Sequence, residues 1–421
     1  MVPVGPLYEL RTPATSVDVN YPRIVLKPRK ARPFFGRHPW VLDSAVDRIE
    51  GGPADGDVVD LFSEQERFIA RGIFNGRSRI HVRLYTWNEA EPLDDAFWRR
   101  RLEAALALRH AAGYDQPDGA ARLVFSEGDG LSGLIVDRYR DYLVVQVTAL
   151  ALAMRLPQIV PMLMELARPP LVVPALAGIL LRTERDIVRA EGLEIETGLR
   201  WGEMPAGPVE IIDHGLRCEV DLAAGQKTGL YLDQRENRVA AARYMRDRRV
   251  LDMFCYTGGF GLAAAVLGKA REVLGFDASQ HAVEQARASA QRNAAANVRF
   301  ECGEAFETLH ALKTAGERFE AVVLDPPKFA KSRAAVDDAL RAYARLNRMA
   351  LDVLAPGGIL VTCSCSGHVS RDDFFFMLVS VAQQSGRDIQ VLEQRGAAAD
   401  HPVSVTCPET EYLKCFICRV T

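Results

Sequence analysis

The chain has 421 residues, too many for one ordinary domain, with 48% apolar and 25% charged residues, the balance of a globular protein. A formal net charge of −3 excludes a globally basic nucleic-acid binder, but not a local basic patch. No window reaches the length and apolarity of a membrane span, and Met1-Val2-Pro3-Val4-Gly5-Pro6 carries no basic segment ahead of an apolar core, so a cytoplasmic protein is expected.

Residues 1–20 show no periodicity and read as an extended arm. Residues 21–93 hold short alternating strands between turns: 21–32 with cationic flanks, His38-Pro39-Trp40-Val41-Leu42, a Gly51-Gly52 turn, then 56–61, 68–75 and 80–85. That pattern predicts a small β-barrel. From Arg23 to Arg37 there are six Lys or Arg and no acid. Lys27, Arg29, Lys30 and Arg32, with aromatic neighbours, are therefore candidates for binding RNA phosphate and bases. Residues 94–205 read as a central α/β domain: a helix over 94–112 with Trp98, Leu102, Ala105, Leu106 and Leu108 at helical spacing, strands at 134–139 and 143–147, a helix over 151–167, a strand near 177–182, and a polar stretch to about 205. The acidic loop at 126–133 reads as a turn.

Residues 206–421 begin with a predicted hairpin turning at His214-Gly215. A helix over 234–246 follows, and then strands and helices alternate, predicting a parallel sheet covered on both faces. The organising stretch is 250–261, an apolar strand running through Phe254-Cys255-Tyr256-Thr257-Gly258-Gly259-Phe260-Gly261 into an alanine-rich helix starting near Leu262. Glycines admit a ligand close to the backbone, and a helix N-terminus offers unpaired N–H groups. Asp277, ending the next strand, is placed to accept hydrogen bonds from two ribose hydroxyls. Gly259-Phe260-Gly261-Leu262-Ala263-Ala264 fits the dinucleotide fingerprint, so both NAD and S-adenosylmethionine remain open at this point.

Downstream motifs separate the two. The strand 322–324 stops at Asp325-Pro326-Pro327-Lys328-Phe329, where two prolines hold a rigid turn at the carboxyl edge of the sheet. Asp-Pro-Pro followed by an aromatic recurs in methyltransferases acting on nucleobases, and a dehydrogenase has no use for it. The next strand runs into Cys363-Ser364-Cys365-Ser366-Gly367. Methylating carbon 5 of a pyrimidine needs a thiolate to add at carbon 6, because carbon 5 is not nucleophilic in the intact ring. Cys363 and Cys365 share a face if the strand continues, so alternation does not choose between them; Cys365 lies nearer the Ser366-Gly367 turn and the crevice. Cys415-Phe416-Ile417-Cys418 has half the spacing of a zinc site but no second pair, and reads as a strand with buried thiols; no metal is expected.

Taken together, Gly225-Gln226-Lys227-Thr228-Gly229-Leu230-Tyr231-Leu232-Asp233-Gln234-Arg235, Phe254 to Phe260, Leu324 to Phe329 and Cys365-Ser366-Gly367 resemble the ribosomal RNA large subunit methyltransferase I family, over essentially the whole chain. The resemblance implies a Rossmann-like methyltransferase domain, an N-terminal PUA-like RNA-binding barrel, S-adenosylmethionine as cofactor, 23S rRNA as partner, and 5-methylcytosine as product. A homodimer is compatible with it. It further implies Cys365 as nucleophile and Asp325 as the group that orients or protonates the ring at nitrogen 3. Phe254, Tyr256, Thr257, Gly258, Asp277, Glu304, Asp325, Gln226 and Tyr231 would hold the cofactor, and Lys328 and Phe329 would meet the RNA base. Two other readings stand beside this one: a methyltransferase acting on an exocyclic amine, for which the Asp-Pro-Pro turn suffices, and a non-catalytic RNA-binding assembly factor.

Overall fold

A computed structural model describes residues 20–169, 175–222, 230–330 and 332–421. The arm expected over 1–20 lies outside them except for Asn20, and so does Gln226. The described chain forms two compact units. One comprises the residues up to Pro117, Arg122–Met204 and Ser404–Cys407; the other comprises Asp118–Ala121, Pro205–Val403 and Pro408–Thr421. Among the described residues no helix is long and apolar enough to cross a membrane.

In the first unit, β1 (Arg23–Leu26), β2 (Trp40–Leu42), β3 (Val46–Glu50), β4 (Val58–Phe62), β5 (Phe68–Phe74) and β6 (Ile80–Thr86) form a sheet ordered β2-β6-β5-β4-β1-β3. The period-2 pattern decides its faces. Val59 and Leu61 of β4 and Val82 and Leu84 of β6 point into one apolar cluster with Ile24, Leu26 and Val41. The intervening Asp60 and Arg83 point the other way, where Asp60 takes a two-pronged bond from Arg71 at 2.7 and 3.1 Å. The same unit holds the helix Asp95–Ala111 and, from Arg122 on, a second sheet of β7 (Ala120–Phe125), β8 (Leu134–Tyr139), β9 (Tyr142–Val147), β10 (Gly178–Arg182) and β11 (Gly198–Gly202), ordered β11-β10-β9-β8-β7. The expected helix over 151–167 is two, Leu150–Ala153 and Leu156–Leu166, the second restarting with a proline in its first turn. The polar stretch near 200 is β11, an edge strand whose exposed side chains hide its pairing.

The acidic loop at 126–133 is consumed structurally. Glu127 accepts from Trp40 Nε1 (2.8 Å) and Ser132 Oγ (2.6 Å) and pairs with Arg83 (3.3 Å). Asp129 accepts from the fully buried Arg109 at 2.6 and 2.8 Å.

The second unit opens with the hairpin β12 (Val209–Asp213) and β13 (Leu216–Val220), turning at His214 and Gly215 with φ of 50° and 83°, the two-residue turn whose twist suits paired strands. Its main sheet holds β14 (Arg249–Met253), β15 (Glu272–Asp277), β16 (Val298–Cys302), β17 (Phe319–Leu324), β18 (Leu354–Ser364), β19 (Ile389–Arg395) and β20 (Lys414–Val420), ordered β16-β15-β14-β17-β18-β20-β19. The strands β14 to β18 pair in parallel; β20 is inserted antiparallel between β18 and β19. The sheet is thus mixed rather than wholly parallel, because the last strand enters from a loop at the opposite end without a crossover helix. Helices cover both faces. One apolar cluster packs 240–242, 260–265 and 283–290 against Val250, Val323, Val361 and Cys363; the other packs Leu309, Tyr343, Leu346 and Phe374 against Leu251, Val322, Leu324 and Leu360.

The helix after β14 starts at Gly259, three residues before the expected point, and its second half, Ala263–Leu267, is a π-helical turn. Its entry is conformationally demanding: Phe254 (62°), Tyr256 (48°) and Gly258 (87°) all have positive φ. Glycines here also make room for an aromatic ring. A Cβ on Gly258, Gly261 or Gly275 would lie 2.7, 3.1 or 2.4 Å from the buried Phe300 ring of β16. Overfilling a close-packed core costs about 1–3 kcal/mol, so Gly275→Ala should lower the unfolding free energy measured in urea by that much against the unsubstituted protein.

Candidate active site

The order of the main sheet reverses at β14: the chain moves outward to β15 and β16 on one side, then returns to β17 and β18 on the other. Loops leaving the carboxyl ends of β14 and β17 therefore part, and the crevice between them is where such sheets take ligands. The glycine turn leaves β14 and the Asp325-Pro326-Pro327 turn leaves β17. Asp325 N–H donates to Met253 O at 3.4 Å, tying the two loops at their base.

On the glycine side, Asp277 closes the turn. Its Oδ2 accepts from Tyr256 N–H and its Oδ1 from Ser279 N–H, both at 2.9 Å. Tyr231 meets Tyr256 edge to face at 5.2 Å, and its carbonyl accepts from Arg238. Beneath the turn, buried Asp252 accepts from Gly261 N–H at 2.7 Å. Glu304 follows β16, exposed; its Oε2 caps the helix Ala305–Thr314 by accepting from Phe306 and Glu307 N–H, and the adjacent Gly303 N–H donates to Asp277 O at 3.0 Å. Phe254 packs partly buried against the apolar cluster, and Thr257 is half-buried in the turn. A half-buried carboxylate beside a glycine turn and an exposed acid one strand over suit a nucleoside with a polar tail, so the donor set fits S-adenosylmethionine.

On the proline side, β18 ends at Ser364, so Cys363 and Cys365 do not share a face. Cys363 is fully buried opposite Cys415 of β20, and burial holds its thiol well above the usual range. Cys365 leaves the strand half-exposed, its Sγ 3.9 Å from Pro326 O. No disulfide engages any of the eight cysteines. Cys415 and Cys418 are buried in β20, as a strand with internal thiols requires. The Cys365–Ser366 turn is pinned from below: Ser366 Oγ accepts from Ala330 N–H (3.1 Å) and meets Tyr343 OH (3.1 Å), which also takes Ser364 Oγ (3.0 Å). Phe329 lies on Tyr343 at 4.7 Å and serves the turn's packing, whereas Lys328 is exposed.

Lys414 was not among the residues the sequence pointed to. It is almost wholly buried, donating to Ser366 O at 2.7 Å and Tyr412 O at 2.9 Å. Burial pulls its ammonium down to about 8, while negative charge at Cys365 would support it. A lysine inside the otherwise apolar Leu413-Lys414-Cys415-Phe416-Ile417-Cys418 run was the available signal. Burial raises the Tyr231 phenol, with Tyr256 and Cys365 adding to the effect.

The basic residues of the barrel belong to the other unit. Lys27, Arg29, Lys30 and Arg32 are exposed around the turn after β1, with Lys27 Nζ donating to Ser44 O. Arg23, the first cation of that stretch, is instead paired with Glu50 and Glu66.

Residues 185–403 match the model of the S-adenosylmethionine-dependent methyltransferase family, and residues 24–87 match that of PUA-like domains. The chain is an S-adenosylmethionine-dependent methyltransferase. It is 38% identical to ribosomal RNA large subunit methyltransferase I of Aeromonas hydrophila, over 94% of this chain and 98% of the relative. It is 37% identical to the Klebsiella pneumoniae protein of that name, over 96% and 99%. The chain belongs to the ribosomal RNA large subunit methyltransferase I family. A SAM-dependent methyltransferase structure from Streptococcus mutans shares the fold, with a TM-score of 0.79 at 18% identity, covering 94% of this chain and 99% of that one.

Two outcomes test this geometry. Brief iodoacetamide treatment of the native protein should label exposed Cys302 and half-exposed Cys365 and spare Cys363, read by peptide mass spectrometry. Burial pushes both Asp252 and Asp325 up to about 7. In the unfolded chain they titrate at about 3.9. Between those values the folded protein binds more protons, so their stability contribution is present at low pH and is lost as pH rises through 7. Asp252→Asn, which keeps an acceptor for Gly261 N–H, should shrink the fall in urea-unfolding free energy between pH 5 and pH 8.

Proposed function

We propose that this methyltransferase acts on large-subunit 23S rRNA, making 5-methylcytosine through a covalent adduct with Cys365. The observation that carries this reading is the placement of one thiol, and not its neighbour, against the Asp325-Pro326-Pro327 turn. Methylation of an exocyclic amine would not call for it. Phe254, Tyr256, Thr257, Gly258, Asp277 and Tyr231 would hold S-adenosylmethionine, with Glu304 toward the adenine, and the cofactor would supply an electrophilic methyl group. Gln226 is assigned to the same set from its motif.

Cys365 Sγ adds as thiolate to carbon 6 of cytosine, opening the carbon 5–carbon 6 double bond and moving its electron pair to carbon 5. Asp325, with a carboxyl raised to about 7, can be protonated near neutrality and hold the proton at ring nitrogen 3, where charge builds on addition. The Lys414 ammonium, bonded to Ser366 O behind the nucleophile, favours the thiolate. Carbon 5 takes the methyl, and the donor's carbon–sulfur bond breaks with its electron pair left on sulfur. The carbon 5 proton leaves to water or to Lys328, and the restored double bond expels Cys365. The chain is read as an arm over 1–20, an RNA-binding barrel over 21–93 offering Lys27, Arg29, Lys30 and Arg32 to phosphate, a central domain over 94–205 and the catalytic domain over 206–421. Phe329 supports the turn that meets the base.

With labelled S-adenosylmethionine and unmodified 23S rRNA, the label should appear at carbon 5 of one cytosine, and Cys365→Ala should reduce turnover by about a thousandfold or more, the scale of losing a covalent nucleophile. Cys363→Ala should keep activity. A dead Cys363→Ala beside an active Cys365→Ala would reverse the assignment, and label on an exocyclic nitrogen would replace it.

A further inference from the structure

Asp325 is reached by a chain of side chains, the two middle ones buried, whose donor and acceptor ends admit one arrangement. Arg395 Nε donates to Asn237 Oδ1 at 3.0 Å. A guanidinium can only donate, so that atom of Asn237 must be its oxygen. Asn237 Nδ2 lies 3.0 Å from Gly396 O, which can only accept, so the other end must be the amide nitrogen. The same Nδ2 donates to Gln234 Oε1 at 2.7 Å. Gln234 is thereby oriented with its NH2 group toward Asp325, and Nε2 donates to Asp325 Oδ1 at 2.8 Å. Gln234 and Asn237 are 3% and 1% exposed, so water does not compete for these bonds. The far end is anchored too: Arg395 donates to Glu393 at 2.8 Å, and Glu393 accepts from Tyr244 OH at 2.8 Å.

From this geometry we infer that Gln234 is a positioning residue for methyl transfer. It occupies Oδ1 of Asp325 with a donor and so assigns the Asp325 proton to Oδ2. An oxygen that accepts from an amide N–H cannot also direct a proton at it, so the acid's proton is placed on the remaining oxygen for the ring nitrogen of the base. Asn237 and Arg395 keep the Gln234 amide from turning over. The inference rests on the role given to Asp325 above. The bond also favours the charged form of Asp325, opposing the burial and the Asp233 charge that raise it, with Arg238 acting in the same sense as Gln234.

Two substitutions test this. Gln234→Leu removes the donor. Asn237→Asp still accepts from Arg395 but no longer donates to Gln234, so Gln234 turns its NH2 to the introduced carboxylate and presents its carbonyl to Asp325, forcing the proton onto Oδ1. Total transfer of labelled methyl to 23S rRNA is measured against pH, with S-adenosylhomocysteine affinity and thermal melting as controls. Losing a hydrogen bond to the carboxylate raises its pKa, so activity that needs protonated Asp325 should persist further into alkali. The descending limb of the kcat profile should move up by about one pH unit, the scale of one such bond. In both variants kcat should fall about tenfold or more, the scale of an impaired general acid, with KM for rRNA and S-adenosylhomocysteine affinity within about twofold. An unmoved limb in a variant that melts normally, or kcat within about twofold in Asn237→Asp, overturns the inference. If Gln234→Leu does not fold, Asn237→Asp decides alone on the same two criteria. Because total label is counted, a methyl found elsewhere than carbon 5 would reject the cytosine-5 reading while the limb still reports on Gln234.

Discussion

The connection after β16 must return past β14 before β17 can pair, and this reversal of strand order is the constraint on which the site depends. It makes the loops leaving β14 and β17 diverge, so two segments about seventy residues apart in sequence open one crevice. Everything chemical is then hung from strand ends. Asp277 ends β15 and holds the glycine turn by Tyr256 N–H; Asp325 follows β17 and holds Met253 O; Cys365 follows β18. Strands buried on both faces supply rigidity at their tips, and the positive φ values of Phe254, Tyr256 and Gly258 are borne by that rigid base.

The second theme is the treatment of charge. Asp252, Asp277 and Asp325 converge around the two turns, and in a poorly solvated site like charges do not all ionise freely. Asp252 and Asp325 are both raised toward neutrality, while Asp277 spends its oxygens on backbone N–H groups. Opposite them, Lys414 is a buried cation satisfied by two carbonyls, one of them Ser366 O next to Cys365. A carboxyl raised toward neutrality, a half-exposed thiol and a buried ammonium thus lie on three different strand ends of one sheet.

Much of this was legible in the residues. Alternation gave the barrel faces, since Val59, Leu61, Val82 and Leu84 repeat every second position and leave Asp60 and Arg83 outside the core. His214-Gly215 between apolar runs implied the hairpin because few residues accept two successive positive φ angles. What escaped were features set by distant partners. The edge strand Gly198–Gly202 buries none of its side chains, so no burial pattern marks it, and β20 enters antiparallel because the sheet, not the local sequence, offers its slot. The glycines of the β14 turn were read as room for a ligand, yet Gly258 and Gly261, together with Gly275 of β15, make room for Phe300 from another strand.

The sequence by itself determined the kind of chemistry: a glycine turn, an acid before two prolines and a cysteine before Ser-Gly are local patterns, and each is written within a few consecutive residues. The sequence pointed to Cys365, but only the tertiary structure set the two thiols apart by burial, since that difference lies in where β18 stops pairing with β20. Only it joined Gln234, Asn237 and Arg395 to Asp325, because hydrogen-bond direction passes between side chains that folding brings together and the chain keeps far apart.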